Sequence, residues 1–160
     1  MTINSQSPTT ANFTIGGATN GNGTYNVSGS SGHGTGASSY INVFDTDTST
    51  RYVGAKSTIG NSMTFYIDMP ESFVATKYQI WMTPNDNQTS YYPNSLTLYG
   101  RADETSSWTS LTTDNPGFAT GTNESPEITF SNSNSYQYYK VYAITSHPDY
   151  IVITDFKIFG

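Results

Sequence analysis

The sequence predicts an all-β fold, a two-sheet antiparallel β-sandwich, and three observations carry that expectation. Apolar and polar residues alternate in short runs, as where Met63, Phe65 and Ile67 interleave with Thr64, Tyr66 and Asp68. Pro, Gly and Asn punctuate the runs at strand-like intervals. The composition joins 13 Tyr and 8 Phe to a large share of Thr, Ser and Asn, with only 11% charged residues. Aromatic side chains fit a pleated, half-buried surface, while hydroxyl and amide side chains suit turns and outward strand faces. No helical period of three to four lasts beyond about one turn, and no internal repeat is detectable.

Residues 1–10 read as a flexible N-terminal segment and residues 11–160 as one sandwich domain. A domain of this size buries about 68–70% of the surface its unfolded chain exposes, enough for a core without staples. Cysteine is absent, so neither a disulfide framework nor a thiolate metal site is available. In chain order, Asn12 to Ile15 and Thr24 to Ser28 alternate as short strands, separated by a Gly- and Asn-rich loop. A long Gly-rich loop follows, from Ser28 to Gly36. The strand starting at Met63 ends at Asp68-Met69-Pro70. Lys77 to Met82, Ser95 to Tyr99, Ser107 to Leu111, Glu127 to Phe130, Tyr138 to Ile144 and Tyr150 to Phe159 complete the set. Trp81 and Trp108 fall inside strand patterns and read as core aromatics.

Charge excludes some partners. A net charge of -6 with six Lys and Arg in total argues against nucleic acid, which needs clustered cations on its phosphates, and against an anionic lipid surface. No run of about 18 apolar residues exists, so no transmembrane segment is expected. The residues after Met1, TINSQSPTT, lack the basic start and apolar centre of a secretory signal. Export by another route, a parent multidomain protein, or carriage on a virion are the expectations that remain.

Three ordered segments carry a resemblance. Tyr91 to Leu111, YYPNSLTLYGRADETSSWTSL, resembles the pattern P-x-S-x-x-L-x-G-S-x-D-G-x-x-W-x-x-L at Pro93, Ser95, Leu98, Gly100 and Asp103 and, with one extra residue in the turn, at Trp108 and Leu111; Arg101 replaces the usual Ser and Glu104 the usual Gly. Phe44 to Tyr52 resembles F-D-G-D-P-S-T-R-W, and Ile153 to Gly160 resembles I-S-E-I-x-V-x-G. Together they make Tyr40 to Gly160 similar to the discoidin family, also called factor V/VIII type C or carbohydrate-binding module family 32. The resemblance implies a jelly roll of the galactose-binding-domain-like type.

Asp45, Asp47 and Thr50 gather oxygen donors in one loop, as a hard cation such as calcium requires. The stretch fails as an EF-hand, because Thr50 stands where Gly is needed and Lys56 where the bidentate Glu belongs. The resemblance implies a structural Ca2+ held by the Asp45 carboxylate, the Thr50 hydroxyl and carbonyl, and main-chain oxygens of Asn42 and Asp47. From the last strand it adds the Thr154 carbonyl and the Asp155 carboxylate, with Asp155 standing where the family usually has Glu. Such an ion would close a loop of about 110 residues, where a clip has a large entropic effect. The alternative is that Asp45, Asp47 and Ser49 form Asx-type turns without metal.

Sugar recognition needs an aromatic face for the C–H surface of a ring and planar polar groups for its hydroxyls. The loop Thr83 to Tyr92 offers Asn85, Asp86, Asn87 and Gln88 beside Tyr91 and Tyr92, and a second loop offers His147 and Tyr150. The resemblance implies that loops at one end of the sandwich bind the ligand. The galactose triad of the family is missing, since Val53 and roughly Thr83 or Pro84 occupy its His and Arg positions. With two His and no Cys, catalytic material is sparse and no catalytic residue is assigned. The expected function is a non-catalytic glycan-binding module, extracellular, on a cell surface or on a virion, as part of an adhesin. The alternative is a structural or assembly domain of a viral or phage fibre or capsid decoration that binds no sugar.

Overall fold

The computed structural model describes residues 8–9, 12–14, 17–20, 23–29, 40–44, 47, 49–82, 91–117 and 125–160. The chain opens with β1 (Pro8–Thr9), β2 (Asn12–Thr14), β3 (Gly17–Asn20) and β4 (Gly23–Gly29). A 3-10 turn (Tyr40–Val43) leads to β5 (Tyr52–Ala55), one helical turn α1 (Lys56–Ile59), β6 (Ser62–Phe73) and β7 (Lys77–Trp81). Then come β8 (Ser95–Arg101), β9 (Thr109–Asp114), β10 (Ile128–Thr129), β11 (Tyr136–Ile144), β12 (Tyr150–Ile153) and β13 (Asp155–Phe159). One sheet runs β2-β3-β4-β6-β11-β8-β9, a second β1-β13-β7-β10, and β12 pairs with β5 as a short ribbon. The described pairings are all antiparallel. The all-β sandwich expected from the alternation is the fold observed.

The alternation decides which face goes inward. In β6, Met63, Phe65, Ile67 and Met69 are buried, and across the ladders Tyr139, Val141 and Ala143 of β11 and Leu96 and Leu98 of β8 join them. Tyr78 and Ile80 of β7 and Phe156 and Ile158 of β13 belong to the same core, so it lies between the two large sheets. Edge-to-face aromatics knit its centre: Tyr52 and Phe65 at 5.1 Å, Phe44 and Phe65 at 5.7 Å, Phe44 and Phe156 at 6.2 Å. Tyr139, wholly buried, donates its hydroxyl to the Phe73 carbonyl at 2.6 Å, and burial pushes that hydroxyl's pKa up.

Pro8–Thr9, within the segment expected to be flexible, pair with Phe159 and Ile158. The structure corrects other readings. The loop expected after Ile15 contains β3, paired with both neighbours. Tyr150 to Phe159, expected as one strand, breaks at Thr154: β12 runs beside β5, and β13 runs beside β7 in another sheet. Trp81 and Trp108 are half-buried and lie outside the core. Each has a cation over its ring, Lys157 at 4.3 Å from Trp81 and Arg101 at 4.5 Å from Trp108.

Two motif residues have local reasons. A Cβ at Gly100 would come within 2.6 Å of the buried Tyr136 ring, so glycine lets β8 pass beneath it. Asp103 organises the turn from β8 toward Trp108: its Oδ1 accepts from Thr105 N, Thr105 Oγ1 and Ser106 N, and its Oδ2 from Ser106 Oγ. The hydroxyls of Thr105 and Ser106 first, then their backbone N–H groups, hold the Asp103 carboxyl down to about 2. A depressed carboxyl adds stability above its unfolded pKa, near 3.9, and loses it as pH falls through the folded value. Asp103→Ala should therefore melt lower than the wild type at pH 7, with the gap narrowing from about pH 4 to about pH 2; a pH-independent gap in thermal melts would contradict this.

Candidate functional site

Three rings from two separate segments meet at one end of the sandwich. Tyr91 stands just before β8, where Asn94 N–H donates to the Ile144 carbonyl at 2.9 Å and fixes the approach to the end of β11. His147 and Tyr150 come from the connection between β11 and β12. The Tyr91 and His147 ring centroids are 4.0 Å apart, Tyr91 and Tyr150 6.1 Å, and His147 and Tyr150 6.5 Å with nearly parallel planes. All three are half-buried, which keeps them ordered while leaving surface for a ligand.

The His147 ring is set by its own loop. Its Nδ1 accepts from Asp149 N at 3.1 Å and Tyr150 N at 3.2 Å, which assigns the ring proton to Nε2 in the neutral form. His147 N donates to Thr145 Oγ1, and the Asp149 carbonyl accepts from Lys56 N at 2.8 Å, tying the loop to α1. These supports were not visible in the sequence, because Lys56 and Asp149 meet only through the pairing of β5 with β12. Tyr92, expected as a second platform, is 4% exposed and turns its ring inward beside Pro93, leaving the outward role to Tyr91. Asn85 and Asp86 lie outside the described residues.

The candidate cation residues come from the segment beginning at Asn42 and from the start of β13. Phe44, next to the 3-10 turn, packs on Phe156, so the early loop and the last strand are neighbours. Asn42 Nδ2 donates to the Arg51 carbonyl at 2.9 Å. The Asp47 carbonyl accepts from Thr50 N at 3.1 Å and from Thr50 Oγ1 at 3.0 Å, which puts two expected ligand oxygens side by side. The Asp47 carboxylate is exposed and turned to Ser49, whose hydroxyl and N–H lower its pKa. That is the Asx-type turn weighed above.

Asp155 is 0% exposed; its Oδ1 accepts from Phe156 N at 2.9 Å, and Lys157 Nζ stands 3.7 Å from its Oδ2. Thr154, equally buried, has a hydroxyl with no hydrogen-bond partner among the described residues. Asp45 lies outside the described residues. Among those described, no three His, Cys, Asp or Glu side chains converge as a metal cluster. A cation here would rest on carbonyl and hydroxyl oxygens with Asp155, a hard donor set that fits calcium.

This is the fold of the F5/8 type C domains and the family-32 carbohydrate-binding modules. An F5/8 type C domain from Bacteroides fragilis superposes with TM-score 0.69 at 9% identity, over 84% of this chain and 89% of that one. A family-32 module from Clostridium perfringens, in complex with GalNAc-β-1,3-galactose, gives 0.68 at 11% identity, over 85% and 95%. Chitosan-binding module 1 from a chitosanase/glucanase of Paenibacillus sp. IK-5 gives 0.63 at 20% identity, over 84% and 93%. No protein-family model and no curated protein matches the sequence.

His147→Ala removes the acceptor for two backbone N–H groups in a partly exposed loop, and should cost about 1 kcal/mol of stability in chemical denaturation. A variant as stable as the wild type would show that the ring does not hold this loop.

Proposed function

We propose that this domain is a non-catalytic glycan-binding module that receives a pyranose at the Tyr91, His147 and Tyr150 cluster. The observation that carries the reading is the convergence of these rings, with centroids 4.0 to 6.5 Å apart, at the end where β11 hands over to β12. An aromatic face takes the C–H surface of a sugar, while the tyrosine hydroxyls and His147 Nε2 offer polar contacts at its edge. Two structures of the same fold are a chitosan-binding module and a module in complex with GalNAc-β-1,3-galactose, which supports binding of a glycan over catalysis. The natural setting is extracellular, on a cell or virion surface, and the first of those modules derives from a larger enzyme.

A structural calcium ion completes the proposal. The buried Asp155 carboxylate, the Thr154, Asp47 and Asn42 carbonyls, the Thr50 hydroxyl and carbonyl, and Asp45 would hold it. What supports this is a set of hard oxygen donors: the Asp47 carbonyl and Thr50 hydroxyl lie 3.0 Å apart, and the buried Asp155 carboxylate lies on the strand whose Phe156 packs against Phe44. The ion would join the last strand to the loop after Phe44 and hold the sheet change at Thr154 in place.

Two measurements test these readings. On a glycan array the purified domain should bind a defined set of sugars, and Tyr91→Ala should weaken the best of them about 10- to 100-fold. Silence on a broad array together with concentration-dependent self-association would favour an assembly domain instead. Chelation should lower the melting temperature by about 5–10 °C, restored by added calcium. An unchanged melting curve with no ion by metal analysis would remove calcium from the account.

A further inference from the structure

A concavity of about 310 Å³ opens on the outer face of the seven-stranded sheet, at the opposite end of β11 from the loop rings. Tyr138 sits six residues before Ile144, so the two regions are separated by about 20 Å along the strand. The ladder register brings Asp68, Tyr138 and Arg101 into one row across β6, β11 and β8, and Tyr66, Lys140 and Tyr99 into the next row on the same face. Glu104 and Trp108 close one side from the turn that Asp103 organises.

The groups are held in place before any ligand arrives. The Arg101 guanidinium lies 4.5 Å from the Trp108 centroid and 4.9 Å from that of Tyr138, and its Nη1 donates to the Glu104 carbonyl at 2.8 Å. Its Nε is buried with no hydrogen-bond partner among the described residues. Tyr66 is 42% exposed, the one large apolar side chain so exposed among those described, and its ring stands 6.0 Å from Trp108 at 43°. The Tyr138 hydroxyl reaches Glu104 Oε1 only at 3.5 Å, a loose contact that a ligand hydroxyl can replace. Burial, then the nearby charge of Glu104, raises the Asp68 carboxyl, opposed by Arg101, so the two carboxylates face a common space.

We infer that this concavity is a second glycan site, which takes one pyranose of a neutral sugar against Tyr66 and Trp108, with its hydroxyls on Asp68, Glu104 and Arg101. Charge selects the ligand class. Two carboxylates face two cations, Arg101 and Lys140, so a phosphate or an ammonium ion gains little, whereas a polyol with one apolar face matches the rings and the planar polar groups. The volume lies at the lower end of small-ligand pockets, which suits a single ring better than a longer buried chain. The site uses none of Tyr91, His147 and Tyr150 and does not rest on their role. With both sites filled, one domain bridges two stretches of glycan, and avidity exceeds either affinity where the spacing allows.

The test is a titration of the isotope-labelled domain with cellotriose, fully N-acetylated chitotriose and GalNAc-β-1,3-galactose, each to about 10 mM, reading the Trp108 indole N–H by NMR. At least one sugar should shift that resonance saturably. The shift should persist in Tyr91→Ala, weaken about tenfold in Glu104→Gln and vanish in Tyr66→Ala, an exposed position where folding is not at stake. An indole signal unmoved by all three sugars overturns the inference, as does an unchanged affinity in both Tyr66→Ala and Glu104→Gln. Loss of the Trp108 response in Tyr91→Ala would mean one coupled site, also against it. Because the Tyr91 variant is read separately, failure of the loop site and failure of the sheet site give different patterns.

Discussion

The register of β11 between β6 and β8 is the constraint on which the rest depends. Its odd-numbered residues Tyr139, Val141 and Ala143 face the core, and its even-numbered residues Tyr138, Lys140 and Tyr142 face outward against Asp68, Tyr66 and Thr64 of β6. A slip of one residue would exchange the two sets and bury Lys140, which the core could not accept. The same strand feeds both proposed ligand surfaces: its beginning carries Tyr138 into the sheet-face concavity, and its end leads through Thr145 to His147 among the loop rings. Position on this one strand thus decides which side chains each end presents.

Without disulfides, uniqueness has to come from packing. Edge-to-face contacts among Phe44, Tyr52, Phe65 and Phe156 give the centre of the core a directional preference that aliphatic side chains lack. Buried hydroxyls add a second form of specification, since Tyr139 has one acceptor, the Phe73 carbonyl, and a misplaced β11 would leave it unpaired. Phe44 matters beyond its own burial, because its contact with Phe156 joins the 3-10 turn to β13.

How far the sequence could be read follows from the same physics. The long strands were legible because one face is wet, so Met63, Phe65 and Ile67 alternate with polar neighbours, and the meeting of Tyr91 with His147 and Tyr150 followed from the family pattern of loops. The sheet change at Thr154 was not legible, since β12 and β13 are buried on both sides and show no alternation to interrupt. The choice between Tyr91 and Tyr92 was equally closed, because neither lies in a run whose period fixes a direction. Trp108 was misjudged for a related reason: its side is set by the shift in pairing between Leu98 and Tyr99 on β8, which only the assembled sheet displays.

The cations explain how so aromatic a surface remains solvated. The chain has six Lys and Arg, and Lys77, Arg101, Lys140 and Lys157 each lie over a ring. Lys140 is 4.0 Å from the Tyr99 centroid, and its amine is made more acidic first by partial burial and then by Arg101. Side chains placed this way hold the rings in fixed orientation, and they are correspondingly less available to bind phosphate. Ordered rings with charge balanced around them suit a ligand that is itself uncharged. The scarcity of basic residues and the abundance of tyrosine are then two aspects of one surface chemistry, in which flat aromatic faces are balanced by few charges.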